Sequence, residues 1–232
     1  MKKYELTTET LQIAGRTLHR IKALRDFGSV KEGQFGGYIE NEKNLSQDDN
    51  AWIYGEAMAI GNARVFGNAK ILGNAHIFGN AKVFDSARVY DDARVYDDAI
   101  VHNNARIYDN AIVYDNAIVS DYAEVCENAK VCDDADVYGL TRIFGNAKIF
   151  GNATIKGNAK VHDDIDYIVF KNFWSSGRYF TWTRSNNKWS VGCFYGTGEE
   201  LIKKAYADSE KSGREYERVV RYVESILADE RK

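Results

Sequence analysis

A six-residue unit repeats without interruption from Ala51 to Asp164, and this repeat constrains the fold more than any other feature of the chain. The units start at every sixth residue from 51 to 159, which gives 19 units. Alanine fills the first position except at Thr141, and isoleucine or valine fills the third except at Ala59. Glycine, aspartate, asparagine, glutamate or serine fills almost every fifth and sixth position. Such regularity indicates stacked copies of one structural element.

Each unit predicts a short β-strand followed by a sharp turn. Side chains alternate along a strand, so positions one and three share one face and positions two and four share the other. The alanine side must point inward, because a small residue fits beside a tight corner. Glycine, aspartate and asparagine tolerate the left-handed backbone that such a corner needs. A helix is excluded, because at about 3.6 residues per turn the alanines would spiral around its axis.

The repeat resembles the hexapeptide repeat, in which a small residue follows an aliphatic one at four positions' distance, as in Val65 to Ala69 and Val83 to Ala87. In that family, three hexapeptides form one turn of a left-handed parallel β-helix. The resemblance therefore implies a mainly β protein with about six coils, about 30 Å long at about 4.8 Å per stacked strand. The chain departs from the family pattern in placing aromatic residues after the aliphatic position, namely Phe66, Phe78, Tyr90, Tyr96 and Tyr108.

The repeat divides the chain into three predicted parts. Residues 1–50 form a β-rich cap that includes a hairpin, because an open solenoid end exposes unpaired strand edges. Residues 51–164 form the solenoid. Residues 165–232 form a small α/β unit with a hairpin around 185–187 and two helices.

The two C-terminal helices are predicted from their capping sequences. Thr197 with Glu200 opens the first, and Ser212 with Glu215 opens the second. The second helix has an apolar face made of Tyr216, Val219, Val220, Val223 and Leu227.

Composition narrows the functional classes. The 31 basic and 34 acidic residues give a net charge of -3, which supplies no global attraction to nucleic acid or to an anionic membrane. Three cysteines do not fit a disulfide-stapled secreted protein, and no apolar stretch is long enough to span a bilayer. We expect a soluble cytoplasmic protein.

Residues 15–46, the solenoid and residues 192–201 also resemble, in that order, hexapeptide-repeat proteins of bacteriophages and prophages. The activity of that family is mostly unassigned. The resemblance implies a phage gene that acts inside a bacterial host cell.

Many hexapeptide proteins are trimeric acyltransferases, and the resemblance implies a catalytic histidine on a loop that projects from a coil. The 19 units contain no insertion, and the solenoid histidines His76, His102 and His162 fall on three different faces. This scatter also disfavours the three-histidine zinc site of the anhydrase variant of this fold. Stacked aspartates at the corners could bind a divalent cation, but solvated turns are the favoured explanation, because aspartate suits such a corner on backbone grounds alone. Cys193 is expected to be a buried structural residue. We expect no catalytic residue, no metal and no cofactor.

The outward positions indicate either interaction surfaces or, equally, an ordinary salt-bridged β-surface; continuous exposed apolar rows are unusual on monomers and tend to mark interfaces. The predicted interface with a partner or a second subunit consists of Leu72, Phe78, Tyr90, Tyr96, Tyr108, Tyr114, Phe144 and Phe150. A basic row runs beside it, formed by Lys70, Arg88, Arg106, Arg142 and Lys160. The C-terminal unit is expected to present Trp174, Trp182 and Trp189 to a partner.

The first hypothesis is a non-enzymatic interaction protein, a rigid scaffold that forms a dimer or trimer and binds a host protein or protein complex, such as a bacterial defence complex. Nucleic acid ranks below protein as a partner, because acidic corners repel phosphate. The alternatives are an acyltransferase-like enzyme with a cleft between subunits and a virion structural component.

Overall fold

The structure is a computed structural model that describes residues 2–230. The chain is mainly β, and its repeat folds into a parallel β-solenoid with three faces. Every unit contributes one two-residue strand, and successive units pass to successive faces. The predicted fold class is therefore confirmed.

The strands of each face stack in order along the solenoid axis. Face 1 consists of β4 (Trp52–Ile53), β7 (Lys70–Ile71), β10 (Arg88–Val89), β13 (Arg106–Ile107), β16 (Glu124–Val125), β19 (Arg142–Ile143) and β22 (Lys160–Val161). Face 2 consists of β5 (Met58–Ala59), β8 (His76–Ile77), β11 (Arg94–Val95), β14 (Ile112–Val113), β17 (Lys130–Val131) and β20 (Lys148–Ile149). Face 3 consists of β6 (Arg64–Val65), β9 (Lys82–Val83), β12 (Ile100–Val101), β15 (Ile118–Val119), β18 (Asp136–Val137) and β21 (Thr154–Ile155).

Each strand pairs in parallel and in register with the strand 18 residues later, as Arg88 does with Arg106. Side chains of equal position therefore form columns along the axis. The alanines of position one and the β-branched residues of position three are buried inside, while position two is exposed or half-buried except at Trp52 and Met58. This distribution confirms the predicted inward face.

The solenoid has about seven coils, one more than the repeat alone indicates, because residues before Ala51 also stack on it. Strand β3 (Phe35–Ile39) pairs in parallel with β5, and Leu45 bridges Val65 in parallel. Gly37 belongs to this first coil, and a Cβ there would collide with the carbonyl of Ala57.

The N-terminal hairpin joins β1 (Tyr4–Ile13) to β2 (Arg16–Ala23), and β2 pairs with β3 in antiparallel fashion. This confirms the predicted hairpin. A 3-10 helix at Glu42–Asn44 follows β3.

The C-terminal unit contains a four-stranded antiparallel sheet and two helices. Its elements are a 3-10 helix (Asp164–Asp166), β23 (Tyr167–Lys171), β24 (Tyr179–Thr183), β25 (Lys188–Val191), β26 (Phe194–Gly196), α1 (Gly198–Asp208) and α2 (Glu210–Asp229). The predicted hairpin is β24 and β25, and α1 begins at the predicted capping box. The start predicted for the second helix was wrong, because Ser209 caps α2 by accepting a hydrogen bond from the Ser212 backbone N–H. None of the helices within residues 2–230 is long and apolar enough to cross a membrane.

The two ends of the solenoid expose different backbone groups, so the two caps use different hydrogen-bonding groups to cover them. Each coil donates backbone N–H groups to carbonyls of the next coil, as Tyr90 N does to Ile107 O at 3.0 Å. The first coils therefore have free carbonyls and the last coil has free N–H groups.

Side chains from the two caps satisfy these groups. At the N-terminal end, Lys3 Nζ donates to the carbonyls of Asp48 and Ala51, both at 3.0 Å, and Asn44 Nδ2 donates to those of Gly61 and Ala63, both at 2.9 Å. At the C-terminal end there is one contact per face, from Lys160 N to Ser185 Oγ at 2.7 Å, from Lys148 N to Asp164 Oδ1 at 2.7 Å, and from Thr154 N to Thr181 Oγ1 at 3.0 Å.

The inward alanines should not tolerate a larger side chain. Ala129→Leu adds bulk to a column that is fully buried, and we expect the free energy of unfolding to fall by about 1–3 kcal/mol. The control Lys130→Leu makes a similar change on the solvent side and should alter stability by less than about 0.5 kcal/mol. Urea denaturation measures both. Equal stability of the two variants would contradict the assigned inside of the solenoid.

The buried Lys3 should make stability depend on pH. Burial lowers the pKa of Lys3 to about 8 from its ordinary 10.5, so between these values the unfolded chain binds more protons than the folded one. The free energy of unfolding should therefore rise as the pH increases from 8 to 9.5. Lys3→Met should lack this increment in the same denaturation experiment, and parallel pH profiles for the two proteins would refute the assignment.

Candidate interaction surface

The outward residues of position four form stacked aromatic ladders. On face 2 the ring centroids of Phe78 and Tyr96 are 4.6 Å apart, and those of Tyr96 and Tyr114 are 5.2 Å apart. On face 1 the rings of Tyr90 and Tyr108 are 5.0 Å apart and parallel within 1°. Neighbours in a ladder cover each other's ring faces, so the ladders present mainly ring edges to solvent.

The predicted interface residues all lie on the outside, but most are half-buried within the chain. Phe150, which is 46% exposed, is the exception. The half-buried residues are Leu72, Phe78, Tyr90, Tyr96, Tyr108, Tyr114 and Phe144. Their contact with a partner or a second subunit stays a prediction.

One coil interrupts all three columns of position four, because it carries Ser120, Cys126 and Cys132, which are buried. Tyrosines of the preceding coil cover the two thiols. Burial and a hydrogen bond with Cys126 raise the pKa of Tyr108, and a hydrogen bond with Cys132 together with burial raises that of Tyr114. These thiols belong to the wall of the solenoid and are closed to solvent.

The basic row predicted from the sequence follows face 1, at position two. Arg106 pairs with Glu124 at 3.2 Å, and the guanidinium of Arg142 lies 5.0 Å from the ring centroid of Phe144. Arg88 and Lys160 form no ion pair within residues 2–230. Face 1 therefore combines unpaired cations with aromatic edges.

Face 2 is also basic, which the sequence reasoning did not point out. The signal was present, since position two of its units carries His76, Arg94, Lys130 and Lys148. Burial and the nearby Arg94 lower the pKa of His76, so this histidine contributes little positive charge at neutral pH.

The acidic corners have a structural role. Apart from Asp163, the aspartates of position five adopt positive φ angles, such as 55° at Asp109 and 57° at Asp133. Most of their carboxylates accept a hydrogen bond from the backbone N–H of the same position one coil later. Asp109 accepts from Glu127 at 3.0 Å, and Asp133 accepts from Gly151 at 2.8 Å.

One corner brings potential metal ligands together. A ligand atom from each of Asp115, Cys132 and Asp133 lies within 4.8 Å of the other two. Both carboxylates are also used by the corner itself, since Asp115 accepts from the Asp133 N–H at 3.3 Å. The corner geometry accounts for the two carboxylates, and the prediction that the chain binds no metal stays a prediction.

The three solenoid histidines lie on three different faces, as predicted. His76 is on face 2, His102 follows β12 on face 3, and His162 follows β22 on face 1. His162 is exposed, and its hydrogen bond with Asp163 raises its pKa. No pair of these histidines converges on one face.

Two expectations about the C-terminal unit were wrong. Trp182 and Trp189 are buried rather than presented to a partner, because they form a cross-strand pair in the core between the sheet and the helices. Trp174 is half-buried against the same core. Cys193 is exposed rather than buried, because it lies in the turn between β25 and β26.

Residues 87–103 and 105–121 match the family model of the YdcK β-solenoid repeat. Both stretches lie in the middle of the solenoid and each is close to one coil in length. The match agrees with the observed architecture and indicates a β-solenoid repeat protein. No curated protein matches the chain.

The corner aspartates give a test of their structural role. Asp133→Ala removes the acceptor of the Gly151 N–H and places alanine at a positive φ, so the free energy of unfolding should fall by about 1–2 kcal/mol. Asp133→Asn retains an acceptor oxygen and tolerates this φ, and it should stay close to the parent protein in urea denaturation. If both variants are equally stable, the carboxylate is not a structural acceptor.

Proposed function

We propose that this chain is a non-enzymatic interaction protein, a rigid scaffold whose face 1 binds an acidic surface of a host protein. The observation that carries the proposal is the combination, on one face, of the unpaired cations Arg88 and Lys160 with the edges of stacked rings. Aromatic and arginine side chains are enriched in the binding surfaces of proteins.

The exposed ring edges favour a protein partner over nucleic acid. Single-stranded nucleic acid binds by stacking bases on exposed ring faces, whereas the rings of Tyr90 and Tyr108 cover each other. Ring edges carry partial positive charge and suit carboxylate and carbonyl oxygens. The acidic corners beside face 1 would also repel a long phosphate backbone that crosses them. A small acidic patch of a protein would contact face 1 between the corners.

The uninterrupted repeat supports a scaffold. Each strand of face 1 is held in register by its neighbours, so the spacing between Arg88 and Arg106 is fixed at one coil. A surface that is already ordered loses little conformational entropy on binding. The histidines, on three separate faces, supply no observation in favour of the acyltransferase alternative.

The bacterial setting of the proposal comes from the resemblance to phage and prophage proteins. We propose that the partner is a host protein or protein complex in the bacterial cytoplasm, such as a defence complex. This part rests on association rather than on a particular side chain.

Capture from a bacterial host lysate tests the role of face 1. The tagged protein should retain a host protein, and Arg88→Glu/Lys160→Glu should lose it because both free cations are reversed. Retention should also weaken as salt increases. The matched control, Lys130→Glu/Lys148→Glu, makes the same charge change on face 2 and should retain the partner.

Three results would count against the proposal. They are the capture of no protein, equal capture by both double variants, and captured material that nuclease treatment releases. Circular dichroism of each variant establishes that the solenoid is intact.

A further inference from the structure

Face 3 differs from the other two faces in the order of charges along it. From the N-terminal to the C-terminal end, its outward position-two side chains are Arg64, Lys82, Ile100, Ile118, Asp136 and Thr154. Cations come first, two aliphatic residues occupy the centre, and an anion follows. If a second copy of this face is turned end to end against the first, a cation faces an anion and the aliphatic residues face each other.

We propose that face 3 is a self-association surface, on which a second copy of this chain packs with its axis antiparallel to the first. The two-fold axis would lie between the faces, parallel to the strands and midway between β12 and β15. Such a rotation preserves the strand direction and reverses the solenoid axis. Position two of one copy therefore faces position two of the other, and the first coil of one copy faces the last coil of the other. The contact is isologous, and every pair occurs twice.

Position two shows the first complementarity. Lys82 would face Asp136 of the other copy, and Ile100 would face Ile118. Lys82 and Asp136 form no ion pair within the described chain, residues 2–230. Asp136 is already half-buried, and burial raises its pKa, so a cation from a second copy would offset the cost of further desolvation.

Position four matches by size and type. Phe84 would face Tyr138, which places ring against ring. His102 would face Ser120, so the larger ring lies opposite the smallest side chain of the column. The stack of Phe66, Phe84 and His102 ends at Ser120, so the column contains no ring at the point that the partner's imidazole would face.

The corner beside face 3 supplies an independent observation. Tyr122 and Leu140 are 62% and 67% exposed, and they are the two large apolar residues at position six of the whole repeat. They occupy adjacent coils on this corner. In the antiparallel arrangement they lie opposite Asn104 and Ser86, which are smaller. The contact would therefore cover an otherwise unexplained apolar patch.

The same operation fails on faces 1 and 2. Face 1 has seven strands, so a central two-fold axis passes through β13 and places Lys70 opposite Arg142 and Arg106 opposite its own copy, while Arg88 faces Glu124. Position two of face 2 contains cations and no anion. Like charges would therefore oppose each other on face 1, and face 2 would gain no pair of opposite charges. The sequence placed oligomer contacts on the aromatic rows of these faces, whereas the charge order favours face 3.

The size of the surface indicates a weak dimer. Lys156 at the C-terminal end is covered by the turn that contains Gly192, whose carbonyl accepts from its Nζ at 3.1 Å. The four central coils span about 19 Å by about 13 Å, a footprint of about 250 Å². Stable complexes bury about 800 Å² per partner. The association should therefore depend on concentration in the micromolar range or above.

This inference does not depend on the proposed function, because faces 1 and 2 remain open in such a dimer. Loss of host-protein capture with intact self-association would refute the binding role of face 1 alone. Loss of self-association with intact capture would refute the present inference alone.

Sedimentation velocity over a range of micromolar concentrations tests the inference by charge reversal. The 26.3 kDa chain should shift towards twice its mass as concentration rises. Lys82→Glu and Asp136→Lys should each remain monomeric, because each places like charges opposite each other twice. An equimolar mixture of the two variants should dimerise again, since both contacts are then between glutamate and lysine or between aspartate and lysine. Lysine and glutamate both occupy position two in other units, as at Lys130 and Glu124, so these substitutions suit the repeat.

The control Lys130→Glu, on face 2, should dimerise like the parent protein. The inference is overturned if the parent chain stays monomeric at every concentration, if it forms a trimer, or if either single reversal leaves the dimer intact. It is also overturned if the mixture of the two variants stays monomeric. Thermal unfolding of each variant shows that a lost dimer does not reflect a lost fold.

Discussion

The polar ladder of backbone hydrogen bonds between coils is the interaction on which the rest of this structure depends. It links residues one coil apart, with most of its donors directed towards the C-terminal end, as from Arg88 N to Ala105 O at 2.9 Å. In-register stacking then fixes every column, and the small first position brings alanine into the interior at each corner. The polarity of the ladder also explains why the two caps differ chemically. The N-terminal cap contributes donors through Lys3 and Asn44, and the C-terminal cap contributes acceptor oxygens.

The same columns determine what the surface offers to other molecules. A side chain of position four meets its own equivalent about 5 Å away, so aromatic residues stack and hide their faces, as Tyr90 and Tyr108 do. A charge of position two meets the charge of the next coil, so a face acquires a sequence of charges along its length. The three faces share one architecture but differ in the order of their charges. Because of this difference, face 1 suits an acidic surface of another protein, whereas face 3 suits a second copy of the chain.

Much of the fold could be predicted from the sequence, because the repeat reports the inside and the outside of every strand directly. The corner aspartates were correctly attributed to turns, although their hydrogen bonds to the next coil require coordinates. The first coil was not predicted from the sequence, because Phe35–Ile39 and Leu45 do not share the six-residue spacing of the later units. The C-terminal tryptophans were misplaced because Trp182 and Trp189 lie on neighbouring strands of a sheet whose buried face depends on how α1 and α2 pack. The start of α2 was misjudged because Ser209 and Ser212 are both acceptable caps, and Ser209 is the one whose side chain accepts the capping hydrogen bond. Candidate surfaces were harder to predict than the fold, since exposure depends on neighbours in the stack.

Because each coil closes after 18 residues, the number of units determines the angle around the solenoid axis at which the repeat ends. The C-terminal unit docks on the last strand of each face through Thr181, Ser185 and Asp164, and its position around the axis is set by the number of units before it. Loss or gain of three units would change the length of the rod and leave the unit in the same orientation. Loss or gain of one unit would turn it by about a third of a revolution and place it over a different combination of faces. Divergence in length within such proteins is therefore expected to proceed in whole coils, because only those steps preserve the angular relation between the two ends.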